Sequence, residues 1–499
     1  MTEKPQERRQ TDESRNAEKR DGEAETPKLE DVLSETEHAI SFAERTLEFT
    51  VTAGTMVLRE ENSKPKASIF FVAYARRNAG DVSQRPVTFI FNGGPGSSAV
   101  WLHLGFFGPW RVELTDEGFP LPPPGRLIPN PATLLWDTDL VLIDPVTTGY
   151  SRAAKEEDAK SFYEVKKDIE TVGDFIRLYV TRYQRWASPK YIAGESYGTT
   201  RAAGLAGYLH GRHSLYVNGV ILISVALDFH TLIPDPGNDL PYVLMMPTLA
   251  ATAFYHRRLQ QRLQRSLSAT LAEVEDFALG EYVLGLLKGH RMSTVESKRI
   301  GRKLVAYTGL PDRFVHNLDY RIPVECFTRE LLRSERRVVG RLDSRVTGPE
   351  SEAWSYEMTY DPSLAAITGP YAATLNHYVR SVLKVEQDLP YELLTSRVHP
   401  WDYSQATNKY LNVAQDLLEA MNHNEHLRIF VAAAYFDIAT PYLAAKYTLD
   451  HLLHGSQADR VTYRCYEGGH MMYTRVPCLH ELSSDLRAYL RAGAAAETV

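Results

Sequence analysis

The pentapeptide GESYG, Gly194 to Gly198, sets a serine between two glycines where a strand-like run, PKYIAGES (189–196), gives way to a helix-like run, TTRAAGLAGYLHGR (199–212). On so tight a turn the Ser196 hydroxyl is lifted into the open, and neighbours larger than glycine would collide. The pattern alone equally suits a serine that caps the helix, so the chemistry depends on partners. A hydroxyl attacks a carbonyl only when a base takes its proton, and a histidine base needs a carboxylate to orient it. His470 lies in YEGGHMM just after the run RVTYRCYE (460–467), and Asp437 lies in YFDIATP just after LRIFVAAAY (427–435). Both fall at C-terminal strand ends, in the order Ser196, Asp437, His470. Asp437 also suits a cap for a helix begun by Thr440 and Pro441. Asp144 in LIDPV is a rival acid, but it precedes the serine and breaks that order. A fourth feature is the loop FNGGPGSS, Phe91 to Ser98. Its glycines let main-chain N–H groups approach a developing oxyanion, with Gly94 and Tyr197 as the expected donors. It lacks the GK[ST] ending of a phosphate-binding loop.

These residues need a scaffold that brings distant strand ends together. TLEFTVTAGTMVL (46–58) and ASIFFVAYARR (67–77) read as an antiparallel pair, with Asn62, Ser63 and Pro65 between them. RPVTFIFNGGPG (85–96) and DTDLVLIDPV (137–146) read as buried strands that end in loops. FYEVKKDIETVGDFIRLYVTRY (162–183) carries Val165, Ile169, Val172, Phe175, Ile176 and Val180 at helical spacing, and VNGVILIS (217–224) follows the small-residue helix as a strand. This alternation predicts an α/β fold with a mostly parallel, doubly wound sheet. From about 228 to 385 it breaks down into charged helical stretches such as HRRLQQRLQRSLSATLAEVEDFA (256–278) and irregular ones such as RLDSRVTGPESEAW (341–354), a largely helical cap insertion. The core then comprises residues 29–227 and 386–499. PYLAAKYTLDHLL (441–453) and HELSSDLRAYLRA (480–492) complete it as helices.

The 499 residues are 43% hydrophobic and 24% charged, the profile of a chain with a large core. A formal net charge of -7 supplies no field that would favour nucleic acid or an anionic membrane, and neither is expected as a partner. Cys326, Cys465 and Cys478 have no metal-ligand spacing. Cys465 and Cys478 could pair, but buried free thiols are expected. Residues 1–28 are dense in both charges and hold no apolar run, so they read as a solvated tail without a secretory signal. As written, the sequence implies a cytoplasmic protein. No stretch is long and apolar enough to span a bilayer.

Taken together, NGGPGSS, DPVTTGYSR (144–152), GESYG and GGHM resemble, in that order, the serine carboxypeptidases of the α/β-hydrolase fold, over about residues 46–492. The resemblance is to a cysteine-poor, bacterial-type member. It implies a triad of Ser196, Asp437 and His470, the same oxyanion donors, and contacts from Asn92, Gly93 and Glu195 to the C-terminal carboxylate of a peptide. It also implies release of C-terminal residues through an acyl-enzyme on Ser196, with no metal or organic cofactor. An acyltransferase or esterase with the same triad is an alternative, as is a catalytically silent hydrolase fold used as a binding module.

Several positions depart from the family pattern. Many relatives have cysteine where this chain has Ser97. Peptide-trimming relatives carry a second glutamate just before a Gly-Pro, at the position of Phe106 in GFFGP. Two such carboxyl groups share a proton, because like charges that close cannot both ionise. Thr199 stands where a small Gly or Ser is usual, and Tyr473 where many relatives have proline. With the acid pair incomplete, Arg201 in the first turn after the nucleophile is expected to help hold the substrate carboxylate, unless it serves as a structural salt bridge. A pH optimum less acidic than is usual for the family follows from Phe106.

Overall fold

Strands that are apolar at successive positions, as in VILI at 220–223, can be buried on both faces only in a sheet covered on both sides. The computed structural model describes residues 29–495 apart from Glu44 and residues 353, 354, 357 and 358. The charged segment 1–28 lies outside the described residues. Ten strands form the main sheet: β1 (Val32–Phe42), β2 (Arg45–Arg59), β3 (Pro65–Arg76), β4 (Val87–Phe91), β5 (Asp139–Ile143), β6 (Arg152–Ala153), β7 (Lys190–Ser196), β8 (Gly219–Val225), β9 (Arg428–Ala434) and β10 (Val461–Tyr466). Their order is β1-β2-β3-β5-β4-β7-β8-β9-β10, with short β6 paired to β3. The pairings from β1 to β5 are antiparallel, and from β5 to β10 every pairing is parallel.

Successive residues of the central strands face opposite sides, as the pleat requires. Ile90, Ile221, Ile223 and Phe430 join one core. Phe89, Val220, Leu222 and Val431 join the other. The second core is closed by helices α1 (Val165–Arg182) and α2 (Tyr197–His213). All six apolar positions that predicted α1 are buried in it.

Between β8 and β9 lies the insertion, with α3 (Leu240–Tyr255), α4 (Leu267–Phe277), α5 (Thr294–Thr308) and α6 (Pro362–His377) as its longest helices. Residues from Val243 to Val339 form a core of their own, joined by Ile438. By contrast, Ile367, Tyr371 and Leu375 of α6 pack into the main core, beside Leu482 and Leu486 of the C-terminal helix. The core's later helices are α7 (Ala414–His423), α8 (Tyr442–Leu452) and α9 (Val476–Ala495).

Two local expectations change. The helical pattern over 256–278 is broken: α3 ends at Tyr255 and the next full helix starts at Leu267, where the Ser266 hydroxyl accepts the Ala269 N–H at 3.3 Å. Leu259 and Leu263 reach the insertion core from the connecting segment, which holds only a 3-10 turn at Leu263–Arg265, so their spacing reflects burial without an α-helix. Strand β1, absent from the predicted elements, is an edge strand in which only Ile40 is fully buried. Cys326, Cys465 and Cys478 are free thiols, but only Cys478 is buried as expected; Cys326 and Cys465 are partly exposed. Among the described residues, no helix is long and apolar enough to cross a membrane.

Candidate active site

Strand β7 runs directly into α2, and the turn between them holds Ser196 at φ 60° and ψ −130°. A non-glycine residue in that region is strained, and such strain persists only where the surroundings impose it. The Ser196 side chain makes no capping hydrogen bond, so helix capping does not account for it. Crowding does: a Cβ on Gly194 would lie 2.1 Å from the Gly198 carbonyl oxygen, and one on Gly93 would lie 2.4 Å from the Tyr197 nitrogen. The glycine loop thus packs main chain to main chain on the serine turn. Thr199, one of the departures in sequence, ties this turn down. Its hydroxyl donates to the Ser196 carbonyl at 2.7 Å and accepts the Ala226 N–H at 2.8 Å, just beyond β8.

His470 and Asp437 arrive from the ends of β10 and β9, and the His470 Nδ1 lies 2.8 Å from Asp437 Oδ2. Asp437 is fully buried and does not cap the following helix, which begins at Tyr442 after Pro441 without a side-chain cap. Its carboxylate instead ties down the turn before that helix and faces the imidazole. Its Oδ1 accepts the N–H groups of Ala439 and Thr440 at 2.8 and 3.0 Å, while Oδ2 takes the Thr440 hydroxyl at 2.6 Å and faces the imidazole. A carboxylate only accepts, so it fixes the proton on Nδ1 and leaves Nε2 free to accept. Burial disfavours the charged imidazole, but the charge and hydrogen bond of Asp437 outweigh it and raise the His470 pKa. The ring's main chain is clamped as well: its N–H donates to the Leu342 carbonyl and its carbonyl accepts the Ser224 hydroxyl, both at 2.6 Å. The rival acid Asp144 is engaged elsewhere, accepting the Ala99 N–H at 2.8 Å.

Ser196 and His470 line one cleft of about 550 Å³ together with Asn92, Gly93, Gly94 and Glu195. Tyr197 opens α2, and a first-turn amide has no intrahelical acceptor, so its N–H is available beside the serine. Trp101, Leu364, Ile367, Leu394 and Met471 supply an apolar wall. On the floor, Glu195 is buried and accepts from Asn92 Nδ2 at 2.7 Å and from the Tyr473 hydroxyl at 2.6 Å. Burial pushes the Glu195 carboxyl up to about 7, against the opposing pull of His470 and of these donors. Phe106 stacks on the Tyr473 ring, with centroids 5.8 Å apart and planes at 24°. Two departures in sequence are therefore one contact, which puts a phenol on the glutamate. Ser97 accepts the Trp101 indole N–H at 2.8 Å, a structural use for the position where relatives carry cysteine.

Arg201 does not face the cleft. Its side chain is 1% exposed, donating to Asp168 Oδ2 at 2.8 Å and to the Asn92 carbonyl at 2.6 Å. It lies between the rings of Phe91 and Tyr197. The expectation that it holds a substrate carboxylate gives way to a buried brace joining α1, α2 and the end of β4 beneath the serine. Removing one partner of a buried ion pair leaves the other unpaired, so Arg201→Ala is expected to destabilise the fold by about 3–5 kcal/mol. Denaturant unfolding measures this, and an unchanged midpoint would contradict it. Sequence reasoning also missed Thr440, Ser224 and the Arg341–Leu342 segment as supports. Thr440 is visible only as a neighbour of Asp437, and the others carry no local signal.

The sequence matches the serine carboxypeptidase family over residues 43–476. A search of curated proteins found no match. Among solved structures, Kex1(delta)p, a prohormone-processing carboxypeptidase from Saccharomyces cerevisiae, aligns with a TM-score of 0.55 at 16% identity, covering 90% of this chain and 91% of that one. A soluble variant of monoglyceride lipase from the same organism aligns at a TM-score of 0.37 and 9% identity, covering 91% and 98%. A thermostable carboxyl esterase from Bacillus coagulans aligns at 0.34 and 11%, covering 88% and 98%. With its α/β-hydrolase fold and a family match that spans most of its length, the chain belongs to the serine carboxypeptidases.

Proposed function

We propose that the protein releases residues from the C-terminus of peptides through an acyl-enzyme on Ser196. The observation that carries this is the His470–Asp437 hydrogen bond at the edge of the cleft that Ser196 lines, with the Glu195–Asn92 pair on its floor. Ser196 Oγ attacks the carbonyl carbon of the last peptide bond as its proton passes to His470 Nε2. The Gly94 and Tyr197 N–H groups hold the oxyanion. His470 returns the proton to the leaving amine as the C–N bond breaks. Water then attacks the ester, gives a proton to His470, and expels Ser196 with that proton restored. Asp437 holds the imidazole and balances its charge throughout. Asn92, Gly93 and Glu195 receive the substrate carboxylate, and the apolar wall beside them favours apolar side chains.

The chain is, on this reading, a cysteine-poor, bacterial-type member of its family. Three free thiols and Ser97 support that. The first experiment is labelling with a fluorophosphonate, whose phosphorus bonds to an activated serine oxygen as fluoride leaves. One label per chain on the Ser196 peptide is expected, absent from Ser196→Ala and much slower in His470→Ala. An unlabelled native protein would point to a silent binding scaffold.

A further inference from the structure

The catalytic cleft carries a cation whose charge is uncommitted. Arg341 lines it with Ser196, Glu195 and His470, its residue is exposed, and no ion pair or side-chain hydrogen bond to a described residue engages its guanidinium. Its main chain is fixed. The Arg341 carbonyl accepts the Ile438 N–H at 3.2 Å, the Leu342 carbonyl accepts the His470 N–H at 2.6 Å, and the Ser344 N–H donates to the Phe436 carbonyl at 3.0 Å. This short segment of the insertion is therefore strapped to both loops that deliver Asp437 and His470, while the Arg341 side chain is left to reach into the cleft. The charge is close enough to lower the His470 pKa, against the larger effect of Asp437.

The acids of the cleft are already engaged. Asp361 caps α6 by accepting the Ser363 N–H at 2.9 Å and also takes the Arg341 and Leu342 N–H groups at 3.2 and 3.4 Å. Glu195 takes Asn92 and Tyr473. A guanidinium offers a fork of donors that fits a carboxylate, and no described residue supplies Arg341 with one.

We infer that Arg341 is a specificity-determining residue that binds a carboxylate of the substrate, the role that Arg201 cannot fill. The inference rests on reading the cleft as a peptide site. That carboxylate is either the peptide's C-terminus or an acidic side chain beside the scissile bond, and matched probes separate the two. Binding is measured by calorimetry on full-length Ser196→Ala, which cannot turn the probes over. One probe pair is a blocked apolar dipeptide as free acid and as amide. The others are blocked dipeptides with glutamate or glutamine at either position. Arg341→Gln in the same background is expected to weaken one carboxylate-bearing class by about tenfold or more, leaving its uncharged twins within about twofold. Arg341→Lys is expected to recover part of the loss. Loss confined to free acid over amide assigns the C-terminus, and loss confined to glutamate over glutamine assigns a side chain. Unchanged affinities for every probe, or no measurable binding of any carboxylate probe with Arg341 present, would overturn the inference. Failure of the native enzyme to hydrolyse peptides that the Ser196→Ala protein binds would instead overturn the proposed reaction and leave the binding result standing.

Discussion

Ser196→Ala is expected to lower kcat for peptide hydrolysis by about 10⁴-fold or more, with peptide affinity little changed. The strained turn exists to present this one oxygen, and nothing else at that position can form the ester. His470→Ala is expected to cost a comparable amount. The double variant loses little further activity, because residues that act as a unit give non-additive losses. Removing either leaves the glycine loop and the amides of α2 in place, so a small residual rate over uncatalysed hydrolysis remains. Kinetics on the purified single and double variants test this. A Ser196→Ala protein that keeps a tenth of native activity, or losses that multiply in the double variant, would contradict the mechanism.

Affinity for free-acid peptides is expected to fall as pH rises through about 7, where the Glu195 carboxyl titrates. Burial disfavours its charged form, so below that pH it is a neutral acid able to donate to the substrate carboxylate. Above it, two negative charges would face each other, and KM is expected to rise by roughly tenfold per pH unit well above the transition. C-terminal amides carry no such charge, so their KM stays flat. The acidic limb belongs to His470: Asp437 raises its pKa, and the imidazole stops accepting protons as pH falls through that value. Free acids therefore give a bell-shaped kcat/KM, with a maximum less acidic than is usual for the family. Glu195→Gln is expected to flatten the alkaline rise. Tyr473→Phe removes a donor that favours the ionised carboxylate, so it moves that rise to higher pH. Parallel KM profiles for acids and amides, or a maximum below about pH 5 where an ordinary carboxyl is titrating, would contradict this.

Ser196, His470 and Asp437 were legible as a candidate triad because each stands at a strand end marked by glycine or proline, and strand ends in a parallel sheet converge on one edge. Arg201 shows where such reading stops. Its place in the first turn of α2 puts it near Ser196 along the chain, yet its side chain turns beneath the serine toward Asp168, a direction the sequence does not state. Tyr473 stood out as a departure, but its partner Glu195 is 278 residues away and only the fold joins them. Arg341 lay in a stretch without periodicity, where neither element nor direction could be read. Strand β1 escaped notice for a related reason: at a sheet edge most of its residues face solvent, so alternation in apolarity is weak.

The central claim is tested most directly by a time course on blocked peptides, free acids beside their C-terminal amides, read by mass spectrometry with Ser196→Ala as control. The account predicts stepwise loss of C-terminal residues from the free acids at pH near 7, much slower loss from the amides, and none in the variant. Equal cleavage of acids and amides, internal cleavage, or activity that survives in Ser196→Ala would contradict it.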